Sequence, residues 1–103
     1  MKLSLGYITT PTKKEAKDIV LELLESGLIA CGNIISGVES YFVWEEEIAK
    51  ANEYVIIFKT RTRNENKIIR LVRDIHSYEC PCVVFMSIED GNPEFLKWVE
   101  KNC

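Results

Sequence analysis

The sequence predicts an α+β domain of the ferredoxin-like βαββαβ type, with one very long β-hairpin and an extra C-terminal helix. Three observations predict it. Two β-rich runs, from about Ile29 to Trp44 and from about Ile48 to Arg61, meet at an acidic turn. A segment with apolar residues at helical spacing precedes the pair and another follows it. Short apolar strands at about Leu3 to Thr9 and Cys82 to Ile88 complete the order β-α-β-β-α-β. Residues 1–103 make one domain, since a chain of this length supports a single core.

In chain order, LSLGYIT sets Leu3, Leu5 and Tyr7 on one face of a strand, and Pro11 ends it. Thr12-Lys-Lys-Glu15 has the form of a capping box, whose hydroxyl and carboxylate satisfy free amides at a helix start. Ala16, Ile19, Val20, Leu23 and Leu24 then form an apolar stripe, and Gly27 suits the left-handed residue that closes a helix. Thr62-Arg-Asn-Glu65 offers a second capping box. Ile68, Leu71, Val72 and Ile75 follow as a second stripe, which ends at His76-Ser-Tyr-Glu-Cys-Pro81. The run CVVFMSI from Cys82 reads as a strand buried on both faces. Asn92-Pro93 starts the last helix, with Asn as cap and Pro in the first turn, and Phe95, Leu96, Trp98 and Val99 dock it.

The hairpin sets the architecture. Its residues are rich in Val, Ile, Tyr, Phe and Thr, which fit a pleated surface. Ile29, Cys31, Asn33 and Ile35 share one face, and Ser36-Gly37 interrupts the alternation as a bulge would. About 15 residues of strand span roughly 50 Å. A compact chain of this size has a radius of gyration of only about 13 Å. One end of the hairpin must therefore project, carrying Tyr41, Phe42, Val43 and Trp44, although a lone two-stranded ribbon is marginal in water. The ferredoxin-like pattern also places its helices on one face of the sheet and leaves the other bare. Both features predict a homo-oligomer. A threefold assembly meets both needs, with the arms extending neighbouring sheets and the bare faces packed inward.

Composition excludes several classes. A net charge of -3 gives no electrostatic case for nucleic acid or an anionic membrane surface. No apolar run is long enough to span a bilayer, and no secretory signal opens the chain, so the expected location is cytoplasmic. Cys31, Cys80, Cys82 and Cys103 are accordingly expected as reduced thiols rather than disulfides.

Four features offer chemistry. Cys80-Pro-Cys82 places two sulfurs where alternate strand positions share a face, a geometry open to copper(I). Two small core residues at a strand start are the ordinary alternative. His76, the only histidine, falls at a helix C-terminus, where a capping or surface role is ordinary and a ligand role needs partners. Glu45-Glu46-Glu47 at the hairpin tip has oxygen donors for a hard cation, but reads more simply as a solvated turn. Cys31 shares its face with Asn33 and has no histidine or acid near it in sequence. With no convergent acid, base and nucleophile, the chain reads as a non-enzyme.

Several segments resemble one family. They are Ala30-Cys-Gly-Asn-Ile-Ile35, Gly37-Val38 with Ser40-Tyr41, Trp44-Glu45, Ile57-Phe-Lys-Thr60, His76 with Tyr78-Glu79 and Pro81, and Gly91-Asn-Pro-Glu-Phe-Leu-Lys-Trp98. Together they resemble the CutA-type divalent-cation tolerance proteins over nearly the whole chain. The resemblance implies a ferredoxin-like subunit in a homotrimer and a role in tolerance of copper or another divalent metal, with metal binding at Cys31 and His76. Cys80 and Cys82 would be additional soft ligands. It also implies kinship in architecture with the PII signalling proteins, hence an alternative role as a signalling module that binds a small ligand between subunits. The chain departs from the family pattern in having Ser36 and Ser77 where Pro is usual, Glu46 in place of a turn Gly, and Cys82 in place of an acidic residue.

Overall fold

A computed structural model describes residues 2–103. It is α+β, with the elements β1 (Leu3–Thr10), α1 (Lys13–Glu25), β2 (Cys31–Trp44), β3 (Glu47–Arg61), α2 (Glu65–Ile75), β4 (Val83–Ile88) and α3 (Pro93–Lys101). A 3₁₀ turn over Thr62–Asn64 leads into α2. The strands form one antiparallel sheet in the order β2-β3-β1-β4.

The helix ends show why the elements stop where they do. Thr12 Oγ1 accepts from the Glu15 amide at 3.1 Å, as half of the expected capping box. Gly27, at φ +69°, closes α1 in a Schellman motif, in which Leu28 N–H donates to the Leu23 carbonyl and Gly27 N–H to Leu24. The second capping box does not form. Its Thr62 hydroxyl lies 2.8 Å from that of Ser4, which also donates to the Glu65 carboxylate. Ser4 is buried beneath the start of α2, and its hydroxyl draws in both groups that would have capped the helix.

The two sheet faces are covered differently. Ile8, Ile34, Ile56, Phe58, Val83 and Phe85 point toward α1 and α2, where Ala16, Ile19, Leu23, Ile68 and Val72 complete the main core. Leu3 and Ile88, directly paired, point the other way and pack with Leu96 and Val99. Helix α3 therefore covers one end of the second face, which corrects the expectation of helices on one face only. Val99 and Leu96 dock it. Trp98 remains 44% exposed and stacks on Phe95 at 5.7 Å, so it does not serve the docking role expected of it. Val84 and Met86 face the uncovered part of this side, so β4 is not buried on both faces.

The hairpin projects as expected. Strand β1 pairs with β3 only from Tyr54 to Arg61, so residues 38–53 form a two-stranded arm. A bulge between Ile35 and Val38, with Gly37 at φ +76°, separates arm from sheet. The arm stretches the molecule to 44 × 25 × 23 Å and leaves Tyr41, Phe42, Val43, Trp44 and Ile48 exposed.

Candidate functional site

A cleft of about 950 Å³ opens where the uncovered sheet face, the arm and the 77–82 segment meet. Tyr7 and Thr9 form its floor from β1, Tyr41, Phe42 and Trp44 its arm side, and Tyr78, Cys80 and Cys82 its rim. Glu53, at the register position opposite Val38, also lines it. The residue is only 7% exposed, and its Oε2 accepts from the Tyr78 hydroxyl at 2.8 Å.

His76 fixes the 77–82 segment. The chain turns from helical to extended at this residue, which is the C-cap of α2. Its ring is buried rather than on the surface. Nε2 lies 2.8 Å from the Thr9 carbonyl, so it must carry the proton, and Nδ1 accepts from Tyr78 N–H at 3.0 Å. Glu15 receives Ser77 N–H at 2.9 Å and approaches Nδ1 to 3.3 Å. The start of α1, the end of β1 and the end of α2 are joined through this one ring. Both ring nitrogens are thus already engaged.

The same arrangement shapes the titrating groups beyond it. The Tyr78 hydroxyl is pushed up to about 12, first by burial, then by its hydrogen bond to Glu53 and by the charges of Glu53 and Glu15. Burial pushes the Cys82 thiol up, and the negative charge of Glu53 and the neighbouring Cys80 add to it.

The four expected ligands are not gathered at one point. Cys80 and Cys82 are together on the cleft, Cys80 exposed and Cys82 half-buried. Cys31 lies on β2, the edge strand opposite β4, paired with Lys59, whose Nζ donates to Asn33 Oδ1 at 2.6 Å. Three strand spacings, about 14 Å, separate that edge from β4. Among the described residues no group of three or more His, Cys, Asp or Glu is arranged to hold a metal ion, and no disulfide is formed, all four cysteines being free. Sequence reasoning missed Glu53, and it found Tyr78 only as part of the family resemblance, with no role assigned. The one signal for Glu53 was a charged residue just before the apolar run Val55–Phe58.

These features define a ferredoxin-like α+β domain whose cleft sits on an uncovered sheet face. Residues 4–102 match the family described as CutA1 divalent ion tolerance protein, and the chain belongs to that family. The divalent-cation tolerance protein CutA of Archaeoglobus fulgidus is 41% identical over 95 residues, which is 92% of each chain. The protein CutA homolog of Xenopus laevis is 38% identical over 97 residues; the match takes in 94% of this chain but 64% of that longer protein. Among solved structures, the divalent cation tolerance protein of Thermus thermophilus superposes with a TM-score of 0.95 at 33% identity and 97% coverage of both chains. CutA1 of Ehrlichia chaffeensis gives 0.91 at 39% identity, covering 98% of this chain and 95% of that one.

Proposed function

We propose that this protein serves divalent-cation tolerance as a homotrimer that binds copper, or another thiophilic metal, through Cys80 and Cys82. The observation that carries this reading is the pair of free thiols on one rim of the cleft, beside the buried Glu53 carboxylate. Thiolates favour copper(I) and zinc over magnesium or calcium. Two thiols on one chain make a short donor set, adequate for copper(I), and solvent or another copy would complete it for zinc. Cys31 and His76 take no direct part in this proposal. The first lies on the far edge strand, and the second would have to give up its bond to Thr9 or Tyr78. The role is one of binding rather than catalysis.

Oligomerisation is supported by the exposed aromatic arm and the uncovered Val84 and Met86. Four free thiols support a reducing compartment, the cytoplasm. The solved Archaeoglobus fulgidus relative is described as periplasmic, so cell fractionation is the check on location. The test of the metal reading is copper(I) competition against a chelator of known affinity. The wild type should win copper, and Cys80→Ser/Cys82→Ser should not; equal uptake by both would remove the thiol pair from the account. A second reading, a PII-like module that takes a small ligand, is favoured by the size of the cleft, which far exceeds a bare ion.

A further inference from the structure

We propose that Cys80 and Cys82 form a reversible dithiol–disulfide couple, in which Cys80 attacks an oxidant and Cys82 then closes the bridge. The inference shares its thiols with the copper reading but does not need a metal to bind. Spacing, exposure and the isolation of the other two cysteines lead to it.

Pro81 fixes its own φ at about −65° and biases Cys80 before it toward an extended backbone. Two steps of such a chain set the Cα atoms about 6 Å apart, within the roughly 4.4–6.8 Å that a disulfide bridges. The thiols are close enough for the charge of Cys80 to be felt at Cys82. Both residues stand outside the sheet ladder, whose first β4 member is Val83, paired with Ile8. The segment before them is anchored by the His76 ring on Tyr78 N–H and by Glu15 on Ser77 N–H. Closing the bridge therefore bends one short link between two fixed points. So tight a ring is strained, which makes it easy to reduce again.

Exposure assigns the order of attack. Cys80 is exposed on the rim and Cys82 is half-buried, so a low-molecular-weight disulfide meets Cys80 first. The Cys80 thiolate attacks one sulfur of that oxidant. A mixed disulfide forms, and one thiol of the oxidant departs with the Cys80 proton. The Cys82 thiolate then attacks Cys80 Sγ, the mixed disulfide breaks, and the second thiol departs with the Cys82 proton. Two electrons and two protons pass from the protein to the oxidant. Only Cys80 has to be reached from solvent, so nothing has to enter the cleft.

The other two cysteines take no part. Cys103 packs against Leu3, Ala30 and Val99 at the Ile88 end of β4, about 20 Å along the strand from Cys82. Cys31 lies three strand spacings away, on the opposite edge. Cysteines whose Cα atoms are more than about 7 Å apart cannot bridge unless the backbone moves. Within one chain, oxidation is thus confined to one pair. The bridge occupies both sulfurs assigned to copper(I), so oxidation and metal binding exclude each other.

The experiment takes the full, metal-free protein through a series of reduced-to-oxidised glutathione ratios, followed by acid quenching, alkylation and peptide mass mapping. The wild type should lose two hydrogens per chain, located within the peptide that holds Cys80 and Cys82. Excess reduced glutathione should restore both thiols. Cys82→Ser should instead retain one glutathione on Cys80, because no second thiol is there to displace it. Cys80→Ser should react about tenfold or more slowly, since attack falls to the half-buried Cys82. Cys31→Ser/Cys103→Ser should bridge as the wild type does. No bridge between Cys80 and Cys82 at any ratio, a bridge joining two chains, or equal rates for Cys80→Ser and Cys82→Ser would overturn the proposal. The wild-type map decides the matter even if neither serine variant folds. A wild type that bridges but takes up no copper would fail the metal reading alone and leave this one standing.

Discussion

The Phe58 ring fills the space that a side chain on Gly6 would need. The two residues are directly paired between β1 and β3, and a Cβ at position 6 would land within the ring. Phe58 is fully buried at the centre of the main core and meets Phe85 edge-on at 5.8 Å. Gly6→Ala should therefore overpack the core and cost about 1–3 kcal/mol in urea unfolding. Phe58→Leu alone leaves a void, but it should recover part of the loss when combined with Gly6→Ala. Additive losses in the double variant would contradict the contact.

Much of this fold was legible because local chemistry and tertiary structure agree. Val, Ile and aromatic residues marked the hairpin, Gly37 its bulge, and Thr12, Gly27 and Asn92 the helix ends. What was not legible depended on partners distant in sequence. Ser4 diverted Thr62 and Glu65 from their capping box across a separation of about 60 residues. His76 was read from its place at a helix end, but its burial depends on Thr9 and Glu15, brought close only by the sheet and α1. The placement of α3 on the second face follows from Leu3 and Ile88, whose parity has meaning only once the register is known. For the same reason the thiol pair could be found in the sequence, but Glu53 and its bond to Tyr78 beside it could not.

The hairpin tip holds Glu45 and Glu46 at φ 49° and 68°, a turn that needs left-handed residues at both positions. Glutamate adopts that region at a cost of about 1–2 kcal/mol relative to more extended conformations. Glu46→Gly should raise the unfolding midpoint, with a gain near 1 kcal/mol. A loss of stability would show that contacts of the Glu46 side chain outweigh its backbone strain.

Tyr78 titrates near 12 in the folded chain, against an ordinary value of 10.0. Folding favours the protonated phenol, so its contribution is complete below about pH 10 and is lost as pH rises from 10 toward 12. The stability difference between the wild type and Tyr78→Phe should be steady near pH 8 and shrink by about pH 11. A difference that stays constant across that range would mean that burial and the Glu53 bond do not hold the hydroxyl protonated in the folded chain.

The two tryptophans should behave differently. Trp44 lies on the arm at 49% exposure, among Tyr41, Phe42 and Val43, whereas Trp98 stacks on Phe95 on the outside of α3. Light scattering of Trp44→Ala should reveal weakened assembly, with about 2 kcal/mol or more lost at the interface. Trp98→Ala should leave the assembly mass unchanged. The reverse order would move the interface from the arm to α3.

The most direct test of the central claim, a homotrimer that binds thiophilic metal through Cys80 and Cys82, is native mass spectrometry of the reduced protein with added copper(I). The account predicts an assembly of three times the 11.9 kDa chain, carrying copper. The Cys80→Ser/Cys82→Ser variant should give the same assembly without metal. A free 11.9 kDa chain, or equal copper on the wild type and the double variant, would contradict it.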